Sequence, residues 1–455
     1  MKYETLNQKI AAMRAEIIAA VQDVVRIESV RGEAEPGAPY GAGPRAALDY
    51  ALALGEKLGF RTGNMDNRVG WIEYGEGEEM AGVLGHLDVV SAGEGWQYPP
   101  FGAEIHGGKL YGRGVLDDKG PVIGAIYGLK AIRDLGIPLG RRIRVMFGTD
   151  EECGCSCVQH YIENGGEMPT IGFTPDADYP LIFCEKGTTN VILGGKIRDR
   201  GQIRVLELTG GTAPNVVTPR CRLVVDGEIE VEPGDGISVR RESCKTIVEA
   251  EGLGAHGSTP ALGVNAAVRL LHAVRNNRFG GDFQRMMDFI LEQLGTETDG
   301  KTLGVFYSDA ETGETTVNLG VVRYDGESMS FTLDIRYPKN AVPAEVKARI
   351  ERASSRYGLG IEKLWQVPIL YVAKDSELVR KLMDVYRAQT GRSEEPLAIG
   401  GGTYAKSFPN MVGFGPVFPG DPEVIHQPNE CADLDKLMLS FQITVAAMVE
   451  LAQKD

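Results

Sequence analysis

The sequence predicts an α/β protein in which a mainly parallel-sheet domain is interrupted by an inserted α+β domain. Three observations predict it. Up to about residue 185, short apolar runs ending in polar residues alternate with helical spacing. From about 187 the segments become alternating and β-branched, separated by turns with Gly and Pro. Near 375 the first texture returns. The expected division is 1–186, 187–374 and 375–455, with the outer two segments forming one domain.

The elements follow in order. Leu6, Ile10, Met13, Ile17, Val21 and Val24 recur every three or four positions, the spacing of an amphipathic helix. Acidic residues inside it, and the lack of a small-residue cleavage site, set it apart from a signal peptide, so a cytoplasmic protein is expected. Ala81–Gly85, Arg144–Phe147 and Ile171–Phe173 are apolar runs of the kind that forms buried parallel strands. Between the first two, Val122, Ile126, Leu129 and Ile132 mark a helix. In the insert, strands are expected at Val205–Leu208, Arg222–Val225, Thr246–Ala250, Val317–Val322 and Ser330–Ile335. Helices are expected at Ala266–Val274, Phe283–Leu294 and Ala344–Ala353, the last with Pro343 suited to its first position. After the insert come a helix at Glu377–Ala388, strands at Leu397–Ile399 and Met411–Phe414, and a closing helix at Ala432–Ala452. Asp433 and Asp435 lie in the first turn of that last helix, favourable to its dipole.

Composition narrows the function. The chain has 455 residues, more than one ordinary core needs. A net charge of -15 argues against nucleic acid, which calls for clustered Lys and Arg. No stretch reaches the roughly 20 apolar residues of a membrane span. Seven cysteines, an odd number, favour free thiols. Cys153, Cys155 and Cys157 leave two readings open, small residues beside a site or thiolate ligands, and no second pair stands at zinc-ribbon spacing.

The polar residues that carry chemistry sit where strands end, which is where open α/β sheets bind ligands. His86-Leu87-Asp88 follows the first apolar run. In an extended chain His86 and Asp88 share a face, as a metal ligand and its hydrogen-bonding carboxylate would. In GRGVLDDKGP, two adjacent aspartates either greet a helix N-terminus or, through Asp117, bridge two cations. GTDEECG places Glu151 and Glu152 just past a strand. They are either a solvated charge run or a pair with separate tasks, one binding metal and one taking a proton from water. TPDAD adds Asp176, and VIHQPNE adds His426, one of only six histidines. Nitrogen and oxygen donors of this kind suit zinc, cobalt or manganese better than calcium.

The segments HLDVVSAGEGW, YGRGVLDDKGP, GTDEECG, TPDADYP, CEKG and IHQPNE together resemble the signature set of the zinc aminoacylase and carboxypeptidase superfamily, and most of all the bacterial PepV-like dipeptidases. The likeness runs in order across nearly the whole chain. It implies a catalytic domain with an inserted lid and two zinc ions per chain, with cobalt or manganese as substitutes. His86, Asp117 and Asp176 would hold one ion, and Asp117, Glu152 and His426 the other. Glu151 would be the general base and Asp88 would orient His86. From the lid, His256 and Asn215 would polarise the scissile carbonyl or stabilise its oxyanion, and Arg336 would grip the substrate carboxylate. IGGGTYAK, with Gly401, resembles the segment lining the substrate's C-terminal side, and it lacks the spacing of a phosphate loop. Cys153 departs from the threonine these enzymes often carry. The long lid implies a monomer acting on a small peptide. Two other readings share the sequence: an N-acyl amino acid deacylase, and a binding protein that has lost catalysis. The second calls for a missing ligand or base, yet every such position is filled.

Overall fold

The computed structural model describes residues 3–454, which form two compact units. The first contains the residues up to Cys184, Leu370–Leu397 and those from Gly402 onward. The second contains Glu185–Ile369 and Ala398–Gly401.

The first unit is built on a mixed sheet. Its strand order is Arg61–Met65, Val69–Tyr74, Arg142–Gly148, Met80–His86, Ile171–Thr174, Met411–Gly413, Ile182–Glu185 and Leu370–Tyr371. Met80–His86 is paired in parallel with strands on both sides, and Met411–Gly413 runs parallel to Ile171–Thr174. Flanking pairs are antiparallel. Every residue of Met80–His86, Arg142–Gly148 and Ile171–Thr174 is buried. That two-sided burial is why they read as unbroken apolar runs. The register sets His86 opposite Gly148, so 149–152 begins at the level where the central strand ends.

Helix Lys119–Asp134 packs on the central strands and against Leu434–Ala452 and Arg14–Val25. Gly124 permits the close approach: a Cβ there would stand 2.2 Å from the ring of Phe441. The closing helix begins at Leu434 rather than 432, because the Asp433 side chain accepts the N–H groups of Asp435 and Lys436 as an N-cap. The amphipathic N-terminal stretch is two helices, Glu4–Ala12 and Arg14–Val25, meeting at Met13. All six of its periodic apolar residues are buried, so the break leaves the buried face intact.

The second unit is an eight-stranded antiparallel sheet. Its order is Ile237–Glu242, Lys245–Glu251, Arg220–Asp226, Val205–Gly210, Thr316–Tyr324, Ser328–Tyr337, Gly187–Lys196 and Gly360–Val367. Helices Ala266–Ala273, Gly281–Phe289 and Pro343–Arg356 bury apolar residues in one core with it. Pro343 opens its helix as expected. The helix expected at Phe283–Leu294 is α only to Phe289 and closes as a π-turn over Ile290–Leu294. Three strands of this sheet went unread. Ile237–Glu242 and Gly360–Val367 are the sheet's edges; the first is almost wholly exposed, and the second only half-buries Ile361 and Leu364 against the core. Gly187–Lys196 is an inner strand, but its glycines weaken the strand signal.

Candidate metal centre

Three strand ends and two loops of the first unit bring six side chains together. His86 closes the central strand and is fully buried. Its Nε2 lies 2.8 Å from Asp117 Oδ1 and 3.5 Å from Asp176 Oδ2. Asp117 stands just before the helix that starts at Lys119, joined to the N-cap Asp118 by a cis peptide. Its other oxygen is 2.9 Å from His426 Nε2. That nitrogen is also 3.2 Å from the carboxylate of Glu152. One carboxylate therefore stands between two imidazoles, and each imidazole faces a second acid. Asp176 follows the strand Ile171–Thr174, and Glu151 and Glu152 follow Arg142–Gly148.

Electrostatics mark the cluster as short of positive charge. Burial drives Glu151 well above the usual carboxylate range, and burial together with the Asp117 charge raises Glu152 and Asp176. Burial opposes a charge on His86, but Asp117 and Asp176 outweigh it and lift its pKa well above the ordinary value. Asp117 and Glu152 raise His426 to about 11. Burial would raise Asp117, and the two imidazoles hold it below the usual range instead. His86 Nε2 and Asp117 Oδ1 are close, yet neither has a hydrogen-bond partner of proper geometry. Buried polar atoms are ordinarily paired. Unpaired donors of this type, converging among four acids, fit divalent cations.

Ligand atoms of His86, Glu151 and Asp176 lie within 4.8 Å of one another, as do those of His86, Asp117 and Glu152. The ion-pair distances divide the residues differently, into His86 with Asp117 and Asp176, and His426 with Asp117 and Glu152. We favour the second division, because every imidazole–carboxylate contact in it is 3.5 Å or shorter. Neither cluster includes a cysteine among the described residues. Cys153 is exposed, Cys155 lies 3.7 Å from the Glu151 carbonyl, and the Cys157 thiol meets the Tyr404 hydroxyl at 2.6 Å.

Asp88 differs from the expected arrangement. The nearest acceptor to His86 Nδ1 is the Asp88 carbonyl, at 3.0 Å, while its carboxylate is 3.7 Å away. That carboxylate accepts the backbone N–H groups of Glu151 and Glu152. Several residues at the site escaped the sequence reading. Asp118 is fully buried and accepts the His86 backbone N–H at 3.2 Å. Asp150 is fully buried, pairs with Arg31 at 2.5 Å and accepts from Ser156. Glu430 is buried against Arg113 at 2.8 Å. Asp118, Asp150 and Glu430 each lie inside a quoted motif. For Asp118 and Asp150 the available signal was a second acid beside an assigned one; Glu430 had only its place four residues after His426.

The second unit gathers the remaining expected residues. His256 Nδ1 lies 2.6 Å from Ser258 Oγ, and Val216 bridges to His256. The Asn215 carbonyl accepts the N–H of Gly257 at 2.7 Å. A Cβ on Gly257 would stand 2.7 Å from Asp334 Oδ2, and one on Gly400 would stand 2.5 Å from Ser258 Cβ. Arg336 pairs with Asp334 at 2.8 Å and donates to the Gly400 carbonyl at 2.6 Å. Asn215, His256, Arg336 and Gly400, which Gly401 follows, thus form one cluster.

This constellation is a site fitted to metal ions. The description "Peptidase family M20/M25/M40" matches residues 82–450, and the chain belongs to that family. A Bacillus subtilis (strain 168) protein named "Putative dipeptidase YtjP" is 36% identical over 467 residues, spanning 98% of this chain and 100% of its own. "Putative dipeptidase SH1171" of Staphylococcus haemolyticus (strain JCSC1435) is 32% identical over 465 residues, spanning 98% and 99%. Among solved structures, human carnosine dipeptidase 1 superposes with a TM-score of 0.61 at 16% identity, covering 99% of this chain and 100% of its own. The aminoacylhistidine dipeptidase of Vibrio alginolyticus gives 0.59 at 15%, covering 96% and 97%. At such identities these two establish the shared fold. No described helix is long and apolar enough to cross a membrane.

Proposed function

We propose that this chain is a dinuclear zinc dipeptidase that hydrolyses the peptide bond of dipeptides, with Glu151 as general base. The observation that carries the reading is Asp117, whose two oxygens face His86 and His426. His86, Asp117 and Asp176 would hold one ion, and Asp117, Glu152 and His426 the other. Cobalt or manganese satisfies the same donors. Bound divalent cations would polarise the scissile carbonyl and make water more acidic.

The protein's own groups do the rest. Glu151 is held by its backbone at 3.0 Å from Asp88, with a carboxyl that burial has made a better base. It takes a proton from the attacking water and returns it to the leaving amine. His256 and Asn215 stabilise the oxyanion of the substrate carbonyl. Arg336 holds the substrate carboxylate, and Gly401 lines that end of the substrate. The lid would be the insert expected at 187–374, between catalytic segments 1–186 and 375–455; this insert corresponds to the compact unit Glu185–Ile369 with Ala398–Gly401. Seven free cysteines support a reducing, cytoplasmic setting. The long insert supports a monomer, which light scattering tests.

The deciding experiment pairs elemental analysis of protein purified with supplemented metal with an activity panel of dipeptides and N-acetyl amino acids. Two zinc equivalents and dipeptide turnover are expected. Turnover of the N-acetyl substrates alone would make the chain a deacylase of the same fold. Absence of both metal and turnover would make it a binding protein.

A further inference from the structure

We infer that Glu430 is a positioning residue for the metal centre, fixing the loop that ends in Asp117 to the loop that carries His426. The inference rests on the two-metal reading above. Glu430 is fully buried. Its Oε2 accepts from the Arg113 guanidinium at 2.8 Å, and its Oε1 accepts the N–H groups of Gly114 at 3.0 Å and Leu116 at 3.1 Å. Its own carbonyl accepts the Gly112 N–H at 3.0 Å. Leu116 directly precedes Asp117, so the grip falls one residue from the shared carboxylate.

The same anchor reaches the segment after Asp88. Arg113 donates to the Ala92 carbonyl at 3.3 Å and lies over the Trp96 ring at 5.3 Å. The neighbouring Asn429 accepts the Gln97 N–H at 2.6 Å and donates to the Gly95 carbonyl at 3.3 Å. The two ligand-bearing loops and the 92–97 stretch therefore meet at Asn429 and Glu430. A buried carboxylate is unfavourable unless paired, and here both oxygens are taken up.

His426 depends on this anchor more than His86 does. His86 ends a strand paired on both sides. His426 sits in a loop with φ of 62° and a side chain 47% exposed. Loosening Glu430 should weaken the ion held by Asp117, Glu152 and His426 more than the one held by His86, Asp117 and Asp176, because only the first depends on both anchored loops. A general structural defect would weaken both together.

The test titrates Co2+ into metal-free wild type, Glu430→Gln and Glu430→Ala, read by calorimetry and visible absorption. Circular dichroism checks the fold. Wild type should take up two equivalents. Glu430→Gln, close in shape, should bind one equivalent about 10–100-fold more weakly and the other with a clearly smaller loss, with an altered absorption band. Glu430→Ala should lose more of the second equivalent. If it does not fold, Glu430→Gln alone decides. Two equivalents at wild-type affinity and spectrum in Glu430→Gln overturn the inference, as does an equal weakening of both. A wild-type chain that takes up fewer than two equivalents overturns the two-metal reading beneath it.

Discussion

The carboxylate of Asp88 accepts the backbone N–H of Glu151 at 3.0 Å, and its second oxygen serves Glu152 in the same way at 3.1 Å. The residue two past the central strand thus fixes the loop that carries the proposed base. Asp88→Ala removes both acceptors. Leaving donors unpaired costs about 1–3 kcal/mol, and urea unfolding should register a loss of that size. Freed from the clamp, Glu151 and Glu152 lose their placement, and kcat should fall about 10–100-fold. Asp88→Asn keeps one acceptor and should fall between. Unchanged stability and kcat in Asp88→Ala would show that the clamp does nothing.

The proposed general base is Glu151. It is not one of the acids paired with either imidazole in the ion-pair geometry, and burial holds its pKa well above the ordinary value. Glu151→Gln preserves shape and removes the basic oxygen. General-base catalysis contributes about 10²–10⁴-fold, and dipeptide turnover should drop by that factor. Metal content, by elemental analysis, should match wild type. Near-normal turnover would give the base to another residue.

Stripping the metal exposes the strain of the acid cluster. In the folded chain Glu152 and Asp176 are raised by burial and by Asp117, so they keep protons that the unfolded chain releases. His426, at about 11, stays protonated well above the unfolded value of about 6.5. Each such group binds more protons folded than unfolded, so its stabilising contribution is lost as pH rises. Asp117 acts in the opposite sense, but only at acid pH, where its unfolded counterpart titrates near about 3.9. The metal-free protein should therefore melt lower at pH 8 than at pH 6. Zinc should raise both midpoints and narrow the gap, because its ligands bind deprotonated. A metal-free melting point that climbs from pH 6 to pH 8 contradicts this account.

Much of this was legible in the sequence because burial on both sides of a parallel sheet writes itself as unbroken apolar runs. Ala81–Gly85 and Arg144–Phe147 announced their strands, and the polar residues after them announced the site. His86, Asp117, Glu152, Asp176 and His426 do meet. Edge strands such as Ile237–Glu242 bury no face and so leave no periodic trace. Nor could sequence show that Arg113 and Glu430 close on each other across most of the chain. That contact depends on a finished fold. Asp88 is the instructive case: the residue was visible, but the choice between its carbonyl and its carboxylate as the partner of His86 is a matter of backbone geometry.

Arg336 offers the sharpest test of the substrate. Its guanidinium is nearly buried, with Nε and one terminal nitrogen on Asp334 and the other terminal nitrogen on the Gly400 carbonyl. Asp334 is itself 1% exposed, so deleting the arginine outright would strand a buried charge. Arg336→Lys keeps the charge and loses the planar fork that matches a carboxylate. If the arginine grips the substrate's C-terminus, wild type should favour a dipeptide over its C-terminal amide. Arg336→Lys should raise KM for the free acid about 10-fold or more, in line with the roughly 1.5–3 kcal/mol of a charge-assisted contact. It should leave the already poor amide nearly unchanged, so the preference collapses. Equal losses on acid and amide would instead mean that Arg336 serves only Asp334 and the turn at Gly400, and that the carboxylate is recognised elsewhere.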